Sequence, residues 1–245
     1  MDTRFRIAVV VLAQVLSLFV IPTCQADPIR YDAFADFSAL SNPGPQGVWS
    51  YGSTNTLGSF HLYPSRTQLV YGDYWHMNWP GGRPNEPTVT RNGSGVAQYY
   101  SDSNGQVIFP PEEFLHVHPG PSGLYSIVRW STPADGLYRL DTTFKSLRLN
   151  GVPTTTDIHV LYNSSSIYDG FVYGHYDDPV SSILAWLRLD AGDTIDFVVG
   201  DGGNGYTCDS TGLRAAITAE TPEPATLLLL GTGLVGCAGL GRRKK

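Results

Sequence analysis

Residues 71–82, YGDYWHMNWPGG, carry Tyr71, Tyr74, Trp75 and Trp79 on a stretch rich in Gly and Pro. Flat rings on such a stretch can stack on sugar faces, with nearby polar groups meeting the hydroxyls. Tyr74, Trp75 and Trp79 are therefore the candidate ligand-binding residues, and the competing reading is that the rings fill one end of a core. A second chemistry is ionic. Asp193, Asp196, Asp201 and Asp209 lie in a Gly-rich, turn-forming region together with Asn204. Calcium takes six to eight oxygens, and these carboxylates with free carbonyls could supply them. Aspartate is also a default turn residue, so a structural calcium ion is one of two readings of this region. His116 and His118 form a His-x-His, whose rings share one side of a strand. No carboxylate follows in PGPSGLYSIVRW, which leaves two half-exposed histidines before a turn as the simpler reading.

Motifs for catalysis are missing. The chain has no G-x-S-x-G, H-E-x-x-H or phosphate-binding loop. Glu112 and Glu113 are adjacent, and on a strand they would face opposite sides, a poor arrangement for a glycosidase pair. No catalytic residue is assigned, and the expectation is a protein that is not an enzyme.

The elements that must position these side chains read as strands. Leu137 to Lys145 alternates Tyr138, Leu140, Thr142 and Phe144 with Arg139, Asp141, Thr143 and Lys145, the period of a strand buried on one side. Thr156 to Asn163 repeats the pattern with Ile158, Val160 and Tyr162 inward. Further strands are expected at 48–51, 60–63, 68–71, 125–130, 171–173, 183–189, 193–199 and 213–219. Residues 83–100 read as polar loops around weak strands. Residues 27–40 read as a helical turn or an edge strand. Gly/Pro/Asp turns join these segments and no convincing helix interrupts them, which predicts an all-β sandwich for residues 27–220.

Composition and termini place that domain outside the cytoplasm. Net charge is −6 with no basic patch before the C-terminus, which argues against nucleic acid as a partner. Arg4 and Arg6 precede the apolar run Ile7 to Val20, and small residues follow at Cys24-Gln25-Ala26. Residues 1–26 therefore read as a secretory signal peptide cut after Ala26. Of the three cysteines, Cys24 leaves with the signal and Cys237 lies in the apolar tail, so Cys208 remains in the domain. Neither a disulfide framework nor a zinc site is expected.

Residues 221–245, TPEPATLLLLGTGLVGCAGLGRRKK, have a different character. The prolines of Pro222-Glu223-Pro224 hold the chain extended, and Ala225 to Gly241 carries no charge. As a helix that run spans roughly 25 Å, the lower limit for a bilayer core. Arg242, Arg243, Lys244 and Lys245 favour a cytoplasmic C-terminus. This order of tripeptide, apolar run and basic end resembles the PEP-CTERM sorting signal of Gram-negative bacteria. The resemblance implies export, processing of the tail by an exosortase after transient anchoring in the inner membrane, and delivery to the cell surface or extracellular matrix. It often accompanies exopolysaccharide production. The segments RWSTPADGLYRL, TTDIHVLYN and LDAGDTIDFVVGDGGNGYTCDSTGL resemble a recurrent ectodomain of such proteins. That second resemblance implies a jelly-roll-like sandwich similar to carbohydrate-binding modules. Two functions follow as expectations: a non-catalytic module that binds exopolysaccharide, or a structural matrix or adhesion protein with no small ligand. A glycan-active hydrolase is the more distant alternative.

Overall fold

A computed structural model describes residues 27–45, 47–69, 72–77 and 87–220. The signal segment 1–26 and the tail 221–245, with Pro222, Glu223, Pro224 and Arg242 to Lys245, lie outside the described residues, as do Tyr71 and Trp79. Among the described residues no helix is long and apolar enough to cross a membrane.

The regular elements of the described residues are strands. The first nine are β1 (Arg30–Asp32), β2 (Trp49–Thr54), β3 (His61–Leu62), β4 (Ser65–Leu69), β5 (Gly72–His76), β6 (Thr88–Asn92), β7 (Gln98–Asp102), β8 (Gly105–Phe109) and β9 (Leu115–His118). Then follow β10 (Tyr125–Ser131), β11 (Gly136–Ser146), β12 (Arg148–Gly151), β13 (Thr154–Tyr162), β14 (Ser165–Gly174), β15 (Ser181–Leu189), β16 (Thr194–Val199) and β17 (Thr211–Ala219). From β10 onward the predicted strands are found, with β14 starting six residues before its expected bound and β12 in addition to those expected.

The first sheet runs β15-β11-β17-β9-β6-β5-β4, with β1 also on β17, and the second runs β14-β13-β16-β10-β2-β3. Every pairing between these strands is antiparallel. One core lies between them. Tyr138, Leu140, Phe144, Leu213, Ala215 and Ile217 face it from the first sheet. Trp49, Tyr51, Val128, Trp130, Ile158, Val160 and Phe197 face it from the second. Trp130 and Tyr138, one from each sheet, meet edge to face at 5.2 Å. The period-two pattern explains why the layers close: each strand hides one side chain in two, and two such faces remove each other from water.

A third sheet, β12-β8-β7, covers part of the outer side of the first. Phe109 at the end of β8 stacks beside His116 of β9 at 4.8 Å. Consequently His116 and His118 are buried rather than half exposed. The stretch read as polar loops around weak strands contains β6, an inner strand of the first sheet. Its one core side chain, Val89, is fully buried, while Thr88, Thr90 and Asn92 are hidden by the layers around them.

Candidate functional site

The second sheet ends in the hairpin β13–β14, whose two-residue turn is Asn163-Ser164. Both residues have positive φ (46° and 69°), the geometry that matches a tight turn to the twist of its strands. The turn together with a register shift between Val160 and Leu161 sets the pairing, so Thr155 faces Tyr173, Asp157 faces Phe171 and His159 faces Asp169. Thr156, Ile158 and Val160 point into the core. The alternate residues Thr155, Asp157 and His159 therefore line the outer surface with Asp169, Phe171 and Tyr173. Since β14 is the edge of its sheet, Phe171 is 50% and Tyr173 67% exposed.

His159 sits between two carboxylates. Its Nδ1 is 2.6 Å from Asp169 Oδ1 and its Nε2 2.9 Å from Asp157 Oδ2. The bond to Asp157 raises the imidazole above its ordinary value, against the opposing effect of burial and with further help from Asp169. Burial alone would raise Asp157, but His159 and the Gly202 N–H outweigh it and hold the carboxyl low. Asp169 is held low by His159 and then by the Ser166 hydroxyl. The ring of Tyr125 meets that of His159 nearly perpendicularly at 5.9 Å.

The turn after β16 closes one end of this surface. Gly202 N–H donates to Asp157 Oδ1 at 2.8 Å and Gly200 N–H to the Asp157 carbonyl at 2.8 Å. Gly202 has φ of 61°, and a Cβ there would collide with the Thr155 carbonyl oxygen and crowd the Phe171 ring, so the close approach requires glycine. Asn204 Nδ2 donates to Thr155 Oγ1 at 3.0 Å, which in turn donates to Asp209 Oδ1 at 3.0 Å. Asp209 is fully buried and burial pushes its carboxyl up to about 6, with the Thr155 bonds opposing.

The other half of the outer surface is roofed. Ile127, Leu161 and Val198 form a small buried cluster under Phe60 and Tyr125. Arg129 binds both oxygens of Asp196, at 2.6 and 2.7 Å, and its guanidinium lies 4.1 Å from the Phe60 ring centre. What stays open is the strip from His159 to Tyr173: the exposed carboxylate of Asp169 and two aromatic rings, beside an imidazole whose two nitrogens are both taken by carboxylates.

Of the expected residues, Asp201 and Asp209 lie in the turn that closes this surface, Tyr74, Trp75, Asp193 and Asp196 lie elsewhere, and Trp79 is outside the described residues. Trp75 is 8% exposed, belongs to the core and donates from Nε1 to the Ser38 carbonyl at 2.8 Å. Tyr74 is 6% exposed and packs beside His76 at 5.0 Å. Neither ring offers a face to a ligand: Trp75 turns into the core, and Tyr74, on the opposite side of β5, is covered as well. Nor do the four aspartates assemble one calcium site. Asp193 precedes β16 and Asp201 follows it, and a six-residue strand spans about 20 Å. Asp196 is committed to Arg129, and Asp193 to the side chains of Tyr162 and Asn163 and to Asp190 N–H. Among the described residues no three His, Cys, Asp or Glu side chains are grouped to hold a metal ion. His116 and His118 lie 5.8 Å apart, and burial drives His116 down to about 3, reinforced by the charge of His118. A cavity of about 380 Å³ opens between residues 35–40 and residues 44, 45 and 47–49. Its one acid, Asp36, already accepts from Asp32 N–H and Trp49 Nε1.

Asp157, His159, Asp169, Phe171 and Tyr173 were missed as a site. Their signal was present: Asp-x-His and Asp-x-Phe-x-Tyr at period two put each set on one side of its strand.

Among solved structures, the CBM51-2 and INT domains of Clostridium perfringens ZmpB, in complex with GlcNAc, are 17% identical over 63% of this chain and 32% of that one, with a TM-score of 0.38. CBM51 from Clostridium perfringens GH95, in complex with methyl-galactose, is 13% identical over 68% of this chain and 99% of that one, with a TM-score of 0.34. A family 35 carbohydrate binding module from Clostridium thermocellum is 13% identical over 51% of this chain and 89% of that one, with a TM-score of 0.28. This chain spans about a third of the first of these. No curated protein matches it. Residues 220–245 match the model of the PEP-CTERM protein-sorting motif, so the all-β domain is followed by a PEP-CTERM sorting signal.

Proposed function

We propose that this is an exported glycan-binding protein, sorted through its PEP-CTERM tail, whose sugar site is the open strip around His159. The observation that carries the reading is the exposed pair Phe171 and Tyr173 beside an imidazole fixed between two carboxylates. Aromatic faces accept the CH side of a pyranose, and a rigid set of charged hydrogen-bonding groups orients its hydroxyls. The strip is open and shallow, which suits a polymer passing across it. Both nitrogens of His159 are committed to carboxylates, so neither is left to take a proton from a nucleophile. This favours binding over catalysis. Cell-derived exopolysaccharide is the polymer the reading names.

Calorimetric titration of purified exopolysaccharide into the full chain tests it, with Phe171→Ala/Tyr173→Ala as the variant. Binding that is unchanged in a folded double variant would overturn the site. The second half of the reading is that an exosortase processes the tail after transient anchoring in the inner membrane. Intact mass should show loss of residues after the Pro222-Glu223-Pro224 tripeptide, and replacing the tripeptide by three alanines should leave the tail attached. A tail retained in the unaltered protein would make it a permanently anchored ectodomain.

A further inference from the structure

A second exposed surface lies on the outer side of the first sheet, at its edge strand β15. Trp186 is 52% and Leu184 67% exposed there, and Leu137 of neighbouring β11 is 40% exposed. Pairing sets Trp186 opposite Arg139, Leu184 opposite Asp141 and Arg188 opposite Leu137. On β17 beyond, Arg214 reaches within 3.7 Å of Asp141. The surface therefore mixes one indole and two leucines with Arg139, Arg188 and Arg214 against Asp141. Farther along, Arg30 and Asp32 of β1 neutralise each other at 2.9 Å.

The described chain leaves the domain at this same corner, where Glu220 N–H donates to the Leu137 carbonyl at 2.8 Å. Only Thr221 to Pro224 separate Glu220 from the apolar run that begins at Ala225. The five steps from Glu220 to Ala225 reach no farther than about 18 Å even when extended.

We propose that this face of β15 and β11 rests on the lipid bilayer while the protein is anchored, with Trp186 and Leu184 in the interfacial region and the arginines among anionic headgroups. The inference rests on the anchoring part of the proposed function. Tryptophan is favoured at the membrane–water boundary, and clustered arginines are drawn to anionic lipid. A second copy of the chain is a poorer occupant, because a two-fold contact would set the three arginines against themselves.

The test uses the full chain, tail included, reconstituted into phosphatidylglycerol–phosphatidylcholine vesicles with bromine near the headgroup end of the acyl chains. Tryptophan emission should be quenched by the brominated lipid, and Trp186→Phe should remove that quenching while leaving flotation with the vesicles intact. Trp49, Trp75 and Trp130 are buried in the core, and with Trp79 they contribute the same background to both proteins. Equal quenching in the two proteins, or a Trp186 that stays open to aqueous iodide in vesicles that carry the chain, would overturn the orientation alone. A chain that fails to float would overturn the anchor, and the orientation with it. Trp186 shielded from iodide but unquenched by bromine would point to a protein partner and reject the lipid surface.

Discussion

Strands β5 and β14 are both rich in aromatic residues, yet they have opposite fates. Tyr74 and Trp75 of β5 are 6% and 8% exposed, whereas Phe171 and Tyr173 of β14 are 50% and 67% exposed. The strand with the denser aromatic patch is the buried one. The difference is cover: Trp75 turns into the core and Tyr74 is covered on the other side of its strand, whereas Phe171 and Tyr173 turn to an outer side that leaves them exposed. A ring meets solvent through which side its parity faces and whether another layer covers that side.

The comparison is broken most forcefully at Trp75. Trp75→Ala should lower unfolding free energy by about 3–5 kcal/mol, since it opens a core cavity and leaves the Ser38 carbonyl without its donor. Urea denaturation reads this directly. A loss below about 1 kcal/mol would mean that the ring is not core, and would return it to the list of platforms. Phe171→Ala/Tyr173→Ala should do the reverse. Stability should change little, and affinity for exopolysaccharide should fall about fivefold or more, at roughly 0.5–1.5 kcal/mol for each aromatic contact.

A smaller effect sharpens the contrast through pH. His159 is raised above 6.5 in the folded chain, so the stability it contributes is fully present below pH 6.5 and is lost as pH climbs through its folded value. Asp157 and Asp169 are held below 3.8, so their contribution is present above that pH and is lost as pH falls through their folded values. Unaltered protein and His159→Gln should differ most in melting temperature between about pH 4 and 6.5, and the gap should narrow above that range. Asp209, which titrates near 6, is common to both proteins and cancels in the difference. A gap that is flat with pH would show that the imidazole is not held as a cation between its carboxylates.

Much of the sandwich was legible in the sequence because period two is a local property. Tyr138, Leu140 and Phe144 were expected inward on β11 and are buried. Ile158 and Val160 on β13 are fully buried, and Tyr162 is partly buried against the same core. Strand β6 was not legible, because Thr88-Val89-Thr90-Arg91-Asn92 has a single apolar side chain and is covered by other layers instead of by its own pattern. The four aspartates are not gathered, for a related reason. Asp193 and Asp201 are close in sequence, but an intervening strand carries them to opposite ends of the sheet.

The sequence by itself determined the sorting tail, since Pro-Glu-Pro, an uncharged run and a basic end are read in linear order. It also determined the strand class, because side-chain alternation follows from backbone geometry alone. Only the tertiary structure decided which aromatic residues meet solvent and which carboxylates share a partner. Those outcomes depend on sheet order and on the layers that cover each sheet. His159 lies ten residues from Asp169, and a tight turn brings them to 2.6 Å. Asp193 lies eight residues from Asp201, and a straight strand holds them apart.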